Sequence, residues 1–230
     1  MILRYIPNFL TICNLLCGCV GLVATADGEL ERAAYLIWAA AAFDFADGLA
    51  ARALKSYSPI GGDLDSLADM VSFGALPSFI MLRLLQQAID TEPAIIVYAG
   101  FSIAVFSALR LAIFNVDTRQ KDHFIGLPVP ASAMLVSALP LGELPIFQDL
   151  VSEPLVLGII IALLSYLMVA PVPLLAFKFQ GLAWQGNEVK IVFMLVSLAL
   201  FVWLQAVAIP IVILGYIGLS LAVGQKNPAT

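Results

Sequence analysis

The sequence predicts an all-α integral membrane protein of about eight transmembrane helices, six to eight in all, with a cytoplasmic N-terminus. Three observations predict it. Of the 230 residues, 62% are hydrophobic and only 12% charged, whereas a soluble domain is about one quarter charged. The apolar residues fall into runs of about 20, enough for a helix to cross the hydrocarbon core. The charges are also sorted. With about eight crossings, Arg4, Arg52, Lys55, Arg110, Arg119, Lys121, Lys178, Lys190 and Lys226 share one side, and only Arg32 and Arg83 fall on the other. That bias marks the first side as cytoplasmic. The net charge of −5 therefore sums two faces of a membrane.

Taken in order, the first run spans residues 8–26, and Pro7 suits its first turn because its missing N–H would have no partner there. No signal-peptidase pattern follows, so this helix is expected to stay. After the polar stretch 27–32, a second run spans 33–54. Residues 56–62 are rich in Gly and Pro and form a turn. A third run spans 63–89, with Asp63 as its expected N-cap, and a fourth 93–115. A polar loop at 116–126 holds His123, read as a solvated side chain. A fifth run spans 127–141. The sixth, 154–177, is interrupted by Pro171 and Pro173. The final stretch, 189–224, is too long for one span and reads as two short helices reversing near 203–208. Cys13, Cys17 and Cys19 lack the convergent ligands a zinc site needs and read as packing residues.

The chain is organised around residues 44–69. A carboxylate near the bilayer centre is disfavoured by about 2.5–3.5 kcal/mol, yet four lie on or beside the second and third runs. Asp44, Asp47, Gly48 and Ala51 share one helical face, and Gly61, Asp65 and Asp69 share another. Facing each other, these stripes would gather four like charges, which calls for a cation between them. Aspartate oxygens suit Mg²⁺, Mn²⁺ or Ca²⁺. Two such ions can polarise a phosphoryl group. Gly48 permits close approach of a ligand, and Arg52 lies within reach of a phosphate. The alternatives are an ion-pair network, for which only Arg52 and Lys55 are near, and an ion-coupled transporter, which would scatter its acids across depth.

The spacing Asp44-x-x-Asp47-Gly48-x-x-Ala51-Arg52, eight residues, Gly61-x-x-x-Asp65-x-x-x-Asp69 resembles the signature of the CDP-alcohol phosphotransferase family at every motif position. Further residues resemble the phosphatidylserine synthase branch: Pro7-Asn8-x-Leu10-Thr11 with Asn14, Leu15 and Gly18; the run from Asp65 through Asp69 to Ser72-Phe73-Gly74; Arg110-Leu111-Ala112 with Phe114-Asn115; and Gly126-Leu127-Pro128 with Pro130-Ala131. Ile113 stands where the family commonly has a second Arg.

The resemblance implies one catalytic membrane domain over 1–230, with its core at about 5–135 and further helices at about 154–224. It implies a homodimer in the lipid bilayer, facing the cytoplasm (the inner membrane, if bacterial), with no nucleic-acid partner. The implied reaction transfers the phosphatidyl group of CDP-diacylglycerol to L-serine, with glycerol 3-phosphate or an inositol as alternative acceptors. By resemblance Asp44, Asp47, Asp65 and Asp69 hold two Mn²⁺ or Mg²⁺ ions, and Asp69 is also the general base. Asn8, Thr11, Gly48, Ala51, Arg52 and Gly61 are expected at the CDP moiety, and Arg110 and Asn115 at the serine.

Overall fold

The computed structural model describes residues 5–55, 58–89, 95–117, 123–175 and 188–224. It is a bundle of helices with one short ribbon. Helices α1 (Ile6–Ala26) and α2 (Leu30–Ala53) form an antiparallel pair packed along their length. The turn between them closes on Gly28, at φ 84, whose N–H bonds back to Thr25 O. A left-handed residue there ends a helix cheaply only if it lacks a Cβ.

The core is built on α3 (Gly61–Asp69), a π-helical turn (Met70–Ala75) and α4 (Leu76–Ala88), which together make one rod. Its most apolar stretch is 67% buried, against 33% for α1 and 28% for α2, so this rod is the centre and the others surround it. Phe73, Leu76, Ile80, Met81 and Leu85 are fully buried along it. The N-cap place belongs to Ile60 rather than to Asp63. Asp63 sits in the first turn instead, where the helix dipole favours its charge.

A 3₁₀ turn (Ile95–Phe101) leads into α5 (Ser102–Val116). Gly100 lies so close to the rod that a Cβ would stand 2.9 Å from Leu82 N. Two elements depart from the all-helical expectation. Strand β1 (His123–Ile125), which was expected within a loop, pairs antiparallel with β2 (Pro173–Leu175), which was expected within a helix. Helix α8 (Pro154–Val169) stops short of that stretch, because Pro171 and Pro173 have no N–H for a helical ladder. Gly126, at φ 80, turns the chain from β1 toward α6 (Val129–Leu141); a Cβ on it would strike Met168 O at 2.4 Å. A further short helix, α7 (Pro145–Ser152), bends 106° from α6 and was not expected.

Helices α9 (Glu188–Leu204) and α10 (Ala208–Gly224) are joined by a 3₁₀ turn at Gln205–Val207. Gln205 has φ 48, and the rings of Phe193 and Tyr216 lie 6.4 Å apart. Those rings could not meet along one straight helix, so the chain reverses here. By length and composition, five described helical runs can cross a membrane, or six if α6 and α7 count together. The larger number expected differs in α8, which has only 16 residues, and in the α9–α10 hairpin, which enters that count as one run. The outward faces suit lipid: Phe9, Ile12, Leu16, Val20 and Val23 follow one exposed stripe of α1. The cysteines are free thiols, and Cys17 packs against the core.

Candidate active site

Helix α1 stands against both α2 and α3, and the site lies where its N-terminal end meets the end of α2 and the start of α3. Asp44, Asp47 and Asp65 each turn an oxygen into one spot, all within 4.8 Å of one another. Asp69 stands outside that trio; its Oδ1 accepts from Asn14 Nδ2 at 3.1 Å. So the two stripes do face each other: three carboxylates share one spot, and Asp69 stands beside them, close enough to interact electrostatically with Asp44 and Asp65.

Beside the trio is a cavity of about 190 Å³. Asn8, Thr11, Gly48, Ala51 and Gly61 line it, with Asp47 and Asp65. Arg52 is not in the lining. Its guanidinium lies over Gly48, with Nη1 3.6 Å from where a Cβ would be, and it makes no ion pair with the aspartates. The ion-pair alternative is thereby left without its nearest cation. A larger cavity of about 800 Å³ opens at the other end of the bundle, between the α1–α2 turn and the α6–α7 bend. It holds none of the predicted site residues, and its Arg32 is already paired with Glu29 at 2.8 Å.

Neutral donors hold the carboxylates. The Thr11 hydroxyl donates to Asp47 Oδ2 at 2.6 Å, a short bond of the charge-assisted kind. Asp65 Oδ1 is buried with no hydrogen-bond partner among the described residues. Three hard oxygen donors converging, one of them unsatisfied, fit a divalent cation of the Mg²⁺ or Mn²⁺ type.

Arg110 and Asn115 lie away from the cavity lining. Arg110 is buried, with its guanidinium carbon 5.2 Å from the centre of the Phe114 ring. Asn115 Nδ2 donates to Ser66 Oγ at 2.9 Å, which ties α5 to the residue after Asp65. Sequence reasoning missed Ser58, whose Oγ accepts from Asn8 Nδ2 at 3.2 Å on the cavity wall. It also gave no role to Asn14. A signal for Asn14 existed: Pro7, Thr11, Asn14, Gly18 and Gly21 are one buried stripe of α1, and polar residues on a buried stripe in a membrane helix face something polar.

A model of the CDP-alcohol phosphatidyltransferase family matches residues 4–223, nearly the whole chain. The chain belongs to the CDP-alcohol phosphatidyltransferase family. Within it, the chain is similar to the CDP-diacylglycerol–serine O-phosphatidyltransferase of Bacillus subtilis (strain 168), 32% identical over 176 residues, covering 76% of this chain and 93% of that protein. The enzyme of the same name from Helicobacter pylori (strain J99) is 32% identical over 217 residues, covering 88% of this chain and 84% of the relative. An archaetidylserine synthase of Methanothermobacter thermautotrophicus is 33% identical over 135 residues, 58% of this chain and 56% of the relative. A match over nearly the full length makes the carboxylate trio part of a membrane transferase fold and leaves the transporter alternative without support.

Proposed function

We propose that this protein transfers the phosphatidyl group from CDP-diacylglycerol to the hydroxyl of L-serine, giving phosphatidylserine and CMP. The observation that carries the proposal is the convergence of Asp44, Asp47 and Asp65 beside a cavity lined by Asn8, Thr11, Gly48, Ala51 and Gly61. The printed names of the relatives supply the acceptor.

In this reading Asp44, Asp47, Asp65 and Asp69 hold two divalent cations, Mn²⁺ or Mg²⁺. When bound, these neutralise the pyrophosphate and the charge of departing CMP. Asn8, Thr11, Gly48, Ala51, Arg52 and Gly61 form the CDP subsite. Arg52 moves from its place over Gly48 to grip a phosphate. Asp69 accepts the proton of the serine hydroxyl. The serine oxygen bonds to the lipid-side phosphorus, and the bond from that phosphorus to the CMP oxygen breaks. Arg110 and Asn115 orient the serine from α5. General-base help of this kind contributes about 10²–10⁴-fold.

The whole of 1–230 works as one domain, with a core at about 5–135 and supporting helices at about 154–224, in a homodimer. About eight crossings, with α8, α9 and α10 each a short span, put the N-terminus and the aspartates on the cytoplasmic side.

The test is CMP release by purified protein from CDP-diacylglycerol with Mn²⁺ or Mg²⁺, with and without L-serine, beside Asp69→Asn. Serine-dependent release that falls about 10²–10⁴-fold in the variant is expected. Release driven by glycerol 3-phosphate or inositol, and not by serine, would overturn the acceptor. No release with any alcohol would overturn the chemistry.

A further inference from the structure

Helix α1 contributes no aspartate, yet it touches two of the four. Asn14 is the more telling contact. It is completely buried, its Nδ2 donates to Asp69 Oδ1 at 3.1 Å, and its own side-chain oxygen has no hydrogen-bond partner among the described residues. An apolar side chain would not strand that acceptor, but it would take the donor from Oδ1 of Asp69, itself a buried residue. The amide is explained by the carboxylate it serves.

Two further features hold this contact in register. Ser72 Oγ, three residues beyond Asp69, donates to the Asn14 backbone oxygen at 2.9 Å. The π-helical turn begins at Met70, directly after Asp69. A π turn inserts extra backbone and shifts the residues on either side out of α-helical register, often at functional sites. Because α3 runs unbroken through Asp69, the shift falls on the residues after it, Ser72 among them.

We infer that Asn14 is a positioning residue for Asp69. Its amide pins Oδ1 of the carboxylate and leaves Oδ2 as the atom that takes the acceptor's proton. This rests on the assignment of Asp69 as general base in the proposed function.

The experiment uses the full-length protein in detergent, with Asn14→Ala, Asn14→Ser, Asp69→Asn and the double variant Asn14→Ala/Asp69→Asn. Melting temperature, kcat and the KM for CDP-diacylglycerol are read for each. Asn14→Ala is expected to fold, to lose at least about tenfold in kcat, as loss of a supporting contact to a metal-site group does, and to keep KM within about threefold. The double variant should be no slower than Asp69→Asn alone, because residues acting as a unit are not additive. A smaller loss in kcat, or a double variant in which the two losses multiply, overturns the inference. Failure of both the Ala and Ser variants to fold also overturns it, by making Asn14 a structural residue. Wild-type turnover by Asp69→Asn would instead remove the underlying assignment, whatever Asn14 does.

Discussion

Replacing Gly48 by Ala should make the protein more stable and less active at once. Gly48 lies inside α2, where glycine costs about 0.5–1 kcal/mol relative to alanine. A Cβ there meets nothing closer than the Arg52 guanidinium, at 3.6 Å, which is ordinary contact with the end of a flexible side chain. The helix gain is therefore not opposed by a clash. For a chain of this size 1 kcal/mol moves the melting temperature by about 2–4 °C, so a rise of about 1–4 °C is expected. The same methyl projects into a cavity of about 190 Å³ and takes up about 30 Å³ of it, the share of one water. If CDP lies against the α2 backbone, this is overpacking of a filled site, with a cost of about 1–3 kcal/mol. That cost is a loss of about 5- to 150-fold in kcat/KM for CDP-diacylglycerol. Thermal melting in detergent and CMP release measure the two effects on one sample. Unchanged kcat/KM would refute the placement of the nucleotide. A fall in melting temperature would refute the packing argument.

Two other perturbations test the charges. Asp65→Asn removes one of three like charges whose oxygens lie within 4.8 Å, so the cation-free variant should melt higher than cation-free wild type. In wild type, Mn²⁺ at 100 times its Kd should add about 2.7 kcal/mol, about 5–10 °C, and Asp65→Asn should lose most of that rise; an equal rise in both would count against the trio as the cation site. At the other end of the bundle, Arg83 donates to Thr25 O at 3.2 Å and to Ala26 O, closing the last turn of α1. Arg83→Ala should lower stability by about 0.5–1.5 kcal/mol through the lost hydrogen bonds, since Thr25 O keeps its bond from Gly28 N–H, with CMP release per folded molecule unchanged. A loss of activity without a loss of stability would show that this end of the bundle takes part in the reaction.

The contrast between α2 and α5 shows what was legible in the sequence. The stripe Asp44, Asp47, Gly48 and Ala51 can be read because helical periodicity alone puts four residues on one face. That face does meet Asp65 across a cavity. Arg110 and Asn115 were expected together at the serine from a family-like motif at the end of the fourth run, and the fold separates their contacts: one lies under Phe114, the other on Ser66. The reversal at Gln205 was legible because a polar residue and Pro210 interrupt an apolar run too long for one span. The β1–β2 ribbon was not, since three-residue strands far apart in sequence carry no periodic signal of their own. The π turn was illegible for a different reason. Gly61, Asp65 and Asp69 do lie on one unbroken helix, α3, but the π turn that begins at Met70 is a tertiary response to packing rather than a local preference.

That packing starts from two glycines on α1. A Cβ on Gly18 would lie 2.5 Å from Ser72 Oγ and 2.9 Å from Ser72 Cα, and one on Gly21 would lie 2.4 Å from Leu76 Cδ2. Only bare backbone lets α1 come this close to the central rod, as small residues do wherever membrane helices touch. The closeness carries down the helix. Asn14 is one turn below Gly18, about 6 Å along the axis, and Thr11 about 4.5 Å further. At that separation a two-carbon amide and a hydroxyl are long enough to reach Asp69 and Asp47 directly. Were α1 held off by even one methyl, both donors would fall short of the carboxylates, and a longer side chain such as glutamine, lysine or arginine would be needed to span the gap. A charged lysine or arginine there would neutralise the aspartates and compete with any divalent ion for them. The glycines thus let two short neutral donors reach Asp47 and Asp69 and leave the negative charge of the site for a cation.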